Sequence, residues 1–187
     1  MLKEKLLLHH ALVKLERRGE HVREQRGRAK KGALAGAADG FCTFKSSNFT
    51  YHGKPMGDWK GSGVGEVSGY TFKTQAVLLY GWGYFLYVLH PGIAANANFN
   101  IECLHRTLLK FFDKLKADKH ADWPAEFYFQ IDGAADNKCR AMFMYAEYLV
   151  RVGIFDVVIF SFLIVGHTHN KVDQQFVALT FELRRGV

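Results

Sequence analysis

The chain is poor in the residues that break or cross-link structure: three prolines and three cysteines in 187 residues, with no low-complexity run. So little proline, alongside 49% apolar residues, argues against long disorder and leaves material for the core of one domain. Cys42, Cys103 and Cys139 stand singly, without a CxxC pair. That excludes a cysteine-based zinc knuckle within the chain and suits a reducing, intracellular setting. A membrane-spanning run is missing too: the most apolar stretch, 154–165, carries Asp156 and is too short to cross a bilayer. Leu6-Leu7-Leu8 is too brief for a secretory signal, so the Asn48-Phe49-Thr50 glycosylation pattern is read as chance. There is no Walker loop, dinucleotide fingerprint or serine-nucleophile elbow, and Gly61-Ser62-Gly63-Val64-Gly65 lacks the strand–turn–helix setting of a phosphate cradle.

What is present is unevenly placed. Residues 1–31 hold ten Lys/Arg against four Glu, a net of +6 out of +7 for the whole chain. A basic lead-in (1–31) before a nearly neutral domain (32–187) suits a polyanion such as DNA, because phosphate attraction needs local positive density. Its candidate contacts are Lys14, Arg17, Arg18, Arg23, Arg26, Arg28, Lys30 and Lys31. The alternative is a solvated helix of mixed charge, since Glu16, Glu20 and Glu24 dilute the stripe. His9-His10 has no carboxylate arrangement that would make a metal site.

Spacing predicts a helix over 2–30, loosened near Gly19 and Gly27. A strand is expected from 33 to 39, although its alanines favour helix and the assignment needs support from context. Residues 46–69, dense in glycine, read as loop. Two β-rich runs, 70–80 and 84–89, flank Gly81-Trp82-Gly83 and predict a hairpin. Trp82, Tyr84, Phe85 and Tyr87 resemble a base-stacking platform, but their alternation fits core and sheet surface better.

Asn98 or Asn100 is expected to cap a helix with the stripe Ile101, Leu104, Leu108, Phe111, Phe112 and Leu115. A strand follows at 126–131, then a helix at 139–151 with Met142, Ala146, Leu149 and Val150 inward, stopped by Gly153. The nearly continuous apolar run 156–165 predicts a strand buried on both faces. A last helix starts at Asn170, with Val172, Phe176 and Leu179 on one side. The order predicts an α/β fold: three antiparallel strands, then two right-handed βα crossovers, giving a mixed five-stranded sheet with helices on both sides.

In open α/β sheets ligands collect beyond the carboxyl ends of parallel strands. Asp132 and the group His167, His169 and Asp173 are expected at that edge, with Asp39 between them. Three carboxylates in one semi-enclosed place need a counter-charge. Mg²⁺ or Mn²⁺ would supply it, and a metal pair would activate a nucleophile and stabilise a leaving oxygen in phosphoryl transfer. Asp39, Asp132 and Asp173 are therefore the candidate catalytic and metal-binding residues.

Asp136 is the rival to Asp132, or else a cap for the following helix. Lys138 and Arg140 either meet a phosphate or stay solvated. His167 and His169 could ligate a transition metal with Asp173, but residues two apart in extended chain point to opposite sides. One of them touching substrate or orienting an acid, or both serving the loop, are the other readings. Gly166 suits a tight strand exit, and Thr168 a helix cap.

Several segments together resemble the ribonuclease H-like, DDE-type transposase and integrase domains of eukaryotic transposon-derived proteins, usually filed as domains of unknown function. They are Tyr80-Gly81-Trp82-Gly83, Asn98-Phe99-Asn100-Ile101-Glu102-Cys103-Leu104, Gln130-Ile131-Asp132 with Asp136-Asn137-Lys138, and Ser161-Phe162-Leu163-Ile164-Val165-Gly166-His167-Thr168-His169 with Asp173-Gln174-Gln175-Phe176. The resemblance spans about residues 32–182. It implies one acid on the first strand (Asp39), one after the fourth (Asp132) and one on a late helix (Asp173), with Asp136, Asn137, Lys138, His167 and His169 in support. Ala38-Asp39-Gly40-Phe41 departs from the strongly branched first strand of that pattern.

The implied activity is divalent-metal-dependent DNA cleavage and strand transfer, with DNA as partner and the nucleus as location. A catalytically inactive, domesticated DNA-binding remnant and a hydrolase of small phosphoesters are the competing expectations. Because the third acid falls close to Val187, a fragment or degraded copy of a longer transposase is also expected.

Overall fold

The computed structural model describes residues 2–45, 50–51, 54–55, 71–89, 93–119, 121–135, 137–163, 171–172, 174–176 and 178. In chain order the elements are α1 (Leu2–Ala29), β1 (Ala33–Lys45), β2 (Thr50–Tyr51), β3 (Lys54–Pro55), β4 (Thr71–Leu79), β5 (Gly83–Leu89), α2 (Ala97–Ala117), β6 (Glu126–Ile131), α3 (Arg140–Arg151) and β7 (Val157–Phe162). Residues 171–178 add helical backbone wherever they are described. Five strands make one sheet in the order β5-β4-β1-β6-β7, while β2 and β3 pair only with each other. β4 runs antiparallel to β1 and to β5; β6 runs parallel to β1 and to β7. The mixed five-stranded α/β sheet read from the sequence is therefore present.

The alanine-rich run at 33–38 is the central strand because both of its faces are covered. Leu34 and Ala38 join Val77, Leu79, Phe127, Phe129 and Ile131 under α2 and α3, whose Leu104, Leu108, Phe111, Met142 and Leu149 complete the main core. On the opposite face Ala37 and Ala76 meet Val172 and Phe176 of the last helical segment. α1 packs on β1 as well. A Cβ added at Gly27 would lie 3.0 Å from the Ala35 Cβ and 3.2 Å from that of Tyr80. Small side chains on β1 let two helices approach closely, and that tertiary gain outweighs the poor strand propensity of alanine.

Four expectations need correction. α1 is continuous from Leu2 to Ala29 and does not loosen at either glycine; Gly27 marks close contact with the sheet, not a break. α2 is capped by Asn96, whose Oδ1 accepts from the N–H groups of Asn98 and Phe99 at 3.1 and 3.2 Å. Asn100 is instead buried in the first turn. β7 is an edge strand, so only Val158, Phe160 and Phe162 pack on the core, while Val157 and Ile159 on its other face are exposed. Val150 of α3 is likewise exposed. Trp82 and Phe85 are core, with the Trp82 ring edge-on to Phe111 at 4.9 Å, which settles the hairpin aromatics as packing residues.

Candidate active site at the β1–β6 edge

β1 and β6 lie side by side with Ala37 opposite Gln130. Asp39 follows two residues later within β1, and Asp132 is the first residue after β6, so the pairing brings the two positions to neighbouring chain segments. Side-chain alternation puts Asp39 on the face of Ala37 and Ala76, which Val172 and Phe176 cover. Asp39 still pairs with Ala76 of β4, and a register shift follows at once, between Asp39 and Cys42. Both aspartates are half-buried. β6 lies between β1 and β7, so the middle position of the three falls to Asp132 at the exit of β6 and not to Asp39.

The loop after β6 holds Asp132 from one side. Its Oδ1 accepts from the Ala134 N–H at 3.1 Å and from the Asn137 Nδ2. The Asn137 Oδ1 in turn accepts from the Asn100 Nδ2 at 2.7 Å, a buried bond between α2 and the loop. Asn137 entered the sequence reading only through the resemblance, and Asn100 only as a possible cap. Gln130, 3% exposed, was not singled out, although a glutamine in the strand Phe127-Tyr128-Phe129-Gln130-Ile131 is an anomaly in itself. Among the described residues neither of its amide atoms has a hydrogen-bond partner.

Asp136, His167, His169 and Asp173 lie outside the described residues, as do Gly166 and Thr168. The N-cap of α3 is Cys139, so that position does not fall to Asp136. Lys138 is exposed with its Nζ 5.3 Å from the Phe162 ring centre, and Arg140 is exposed. Among the described residues no group of three or more His, Cys, Asp and Glu side chains could hold a metal. The carboxylates of Asp39 and Asp132 are of the hard oxygen donor type that Mg²⁺ and Mn²⁺ prefer.

α1 is tied to the acid-bearing face through a buried carboxylate. Glu24, 7% exposed, accepts from Arg28 at 2.8 Å and from the Lys171 Nζ. Burial pushes the Glu24 carboxyl up, but the Lys171 and Arg28 hydrogen bonds outweigh it and hold the group below its ordinary 4.5. The basic residues of the lead-in divide accordingly. Lys14, Arg17, Arg18 and Lys31 are exposed, and Arg23 is half-buried. Arg26 reaches Glu126 and Tyr128, and Arg28 pairs with Glu24. Lys30 pairs with Asp118 at 2.7 Å and stacks over the Trp82 ring at 4.2 Å. Lys30 is thus largely committed to the fold.

A groove of about 660 Å³ opens elsewhere, between the edge of β5 and the start of α2, lined by Tyr87, Val88, Ile93, Phe99 and Cys103 among others. Burial first, then the neighbouring Glu102, pushes the Cys103 thiol up to about 12. It stays protonated and is no nucleophile. No helix among the described residues is long and apolar enough to cross a membrane.

No curated protein matches the chain. Among solved structures it is similar to the Mos1 transposase paired-end complex with left transposon end, at 15% identity and a TM-score of 0.47, covering 88% of this chain and 46% of that one. It is also similar to the Mos1 strand transfer complex, at 14% identity and a TM-score of 0.46, covering 83% and 42%. These are distant likenesses, and the chain spans less than half the length of either protein. Residues 70–186, more than half of the chain, match the family model described as Domain of unknown function (DUF7869), and the chain belongs to that family.

Proposed function

We propose that the β1–β6 edge is a divalent-cation site for phosphodiester chemistry on DNA, of the cleavage and strand-transfer type, on a ribonuclease H-like sheet. The observation that supports this reading is the parallel pairing of β1 with β6, in which Ala37 and Gln130 lie opposite each other two residues before Asp39 and Asp132. Two ionised carboxylates at one such edge repel each other, and a bound Mg²⁺ or Mn²⁺ relieves the repulsion. Asp173 is the proposed third ligand. It follows Val172, which packs on Ala37 and Ala76 beside Asp39, and Lys171 is anchored by Glu24. Lys138, Arg140, His167 and His169 are the proposed substrate-side groups, with Asp136 in support.

In this reading α1 and the turn after it supply the electrostatic attraction for DNA through Lys14, Arg17, Arg18, Arg23 and Lys31. Arg26 and Arg28 contribute from the exposed parts of their ion pairs. DNA chemistry implies action in the nucleus.

A second reading, a catalytically inactive DNA-binding remnant, is favoured by that exposed basic surface, which needs no metal. The test is cleavage and strand transfer on labelled duplex and branched DNA with Mg²⁺ or Mn²⁺, for the chain and its Asp39→Asn, Asp132→Asn and Asp173→Asn variants. Metal-dependent products lost in all three variants support the enzyme. Salt-sensitive DNA binding without product, unaffected by the three substitutions, supports the remnant. Turnover of small phosphoesters without any dependence on DNA would contradict both.

A further inference from the structure

The bond chain Asn100–Asn137–Asp132 points to a function beyond packing. We propose that Asn100 and Asn137 are positioning residues that set the orientation of the Asp132 carboxylate. The inference rests on the reading of Asp132 as a cation ligand only for its effect on metal, not for the geometry.

The two amides are 3% and 5% exposed, so losing their mutual bond would be costly; the Asn100 Oδ1 is buried without a partner among the described residues. Their directions are dictated by the end of the chain. A carboxylate only accepts, so Asn137 must turn its Nδ2 toward Asp132. That leaves the Asn137 Oδ1 facing Asn100, whose Nδ2 donates to it at 2.7 Å. Asn100 sits in the first turn of α2, and that turn is anchored by the Asn96 cap. The Asp132 carboxylate therefore sets which way the Asn137 amide points, and the first turn of α2 holds that amide at its other end. The Asp132 Oδ1 takes both donors, from Asn137 and Ala134. A carboxylate held in this way is a preoriented ligand, and loss of such outer partners commonly weakens metal binding about 10- to 100-fold.

Two substitutions separate positioning from packing. Asn100→Asp is nearly isosteric but removes the donor; Asn137 then has a carboxylate at each end, and its one NH₂ is drawn from Asp132 to the new carboxylate by a turn of the amide in a share of the molecules. Asn100→Leu removes the same donor without forcing the turn. The positioning role predicts that Mn²⁺ affinity falls in the order wild type, Asn100→Leu, Asn100→Asp, with about a 10- to 100-fold loss in the last. A role in packing alone predicts no such order and a loss that follows thermal stability.

The experiment is a Mn²⁺ titration of the 187-residue chain and both variants, each with a thermal melt. It is paired with metal-free ¹⁵N spectra that follow the Asn137 side-chain NH₂. Moved Asn137 resonances in Asn100→Asp, together with the predicted order of affinity, support the proposal. Unmoved resonances, or equal Mn²⁺ affinity in wild type and Asn100→Asp, overturn it. If the wild type takes up no Mn²⁺ while the resonances still move, the cation reading fails and the orienting role stands.

Discussion

Lys171→Met should destabilise the fold more than Arg28→Met, although both remove one cation from the same carboxylate. The Glu24 side chain is 9% exposed, that of Lys171 39% and that of Arg28 60%. Removing one partner from a fully buried pair costs about 3–5 kcal/mol, because the other charge is left uncompensated. Here Arg28 remains on Glu24 and Lys171 is partly in water, which lowers the expected cost to about 1–2 kcal/mol. In a chain of this length that lowers Tm by about 2–8 °C. Arg28→Met, an exposed pair within one helix, should cost about 0.5 kcal/mol.

The assay is urea or thermal unfolding of the two single variants, Glu24→Gln, and Glu24→Gln combined with Lys171→Met. With the buried anion gone, Lys171→Met should cost little, so the cycle should show coupling of about 1 kcal/mol. Strict additivity, or equal losses from Lys171→Met and Arg28→Met, would refute the account of Glu24 as a buried anchor between α1 and the last helical segment.

The same carboxylate predicts a pH dependence. The folded group lies below its ordinary 4.5, so its stabilisation is complete above that value and is lost as pH falls through the lower folded value. The Tm gap between wild type and Glu24→Gln should therefore close below about pH 4.5; a constant gap would contradict it. Gly36→Ala should cost about 1–3 kcal/mol or prevent folding, because the new Cβ would lie 2.6 Å from the Leu78 carbonyl oxygen and 2.7 Å from the Leu79 Cδ2. An unchanged urea midpoint would show that the strand moves aside freely. Asn96→Ala should cost about 1 kcal/mol by freeing two N–H groups at the start of α2, read in the same unfolding assay.

Periodicity and turn residues made most of the sheet legible. The 126–131 strand agrees with the sequence reading at both ends, and the hairpin and α2 fall within a few residues of it. What the sequence concealed was context. The apolar run at 157–162 could not reveal that β7 would lie at the sheet edge, because edge position depends on strand order rather than on the strand's own residues. Asn96 and Asn100 are chemically alike and four residues apart, yet one caps a helix while the other spans to a loop 37 residues away. Asp132 was legible as an acid at a strand exit, whereas Asp39, read as the end of the first strand, lies inside β1, which continues to Lys45. Lys30 read as one more positive charge in a basic arm, and only folding gave it Asp118 and Trp82 as partners.

The most direct test of the central claim is anomalous diffraction from crystals of the chain soaked in Mn²⁺. A peak within about 2–2.5 Å of carboxylate oxygens of both Asp39 and Asp132, absent in Asp132→Asn, is the predicted result. No peak at that edge under saturating Mn²⁺, or one that persists in Asp132→Asn, would contradict it.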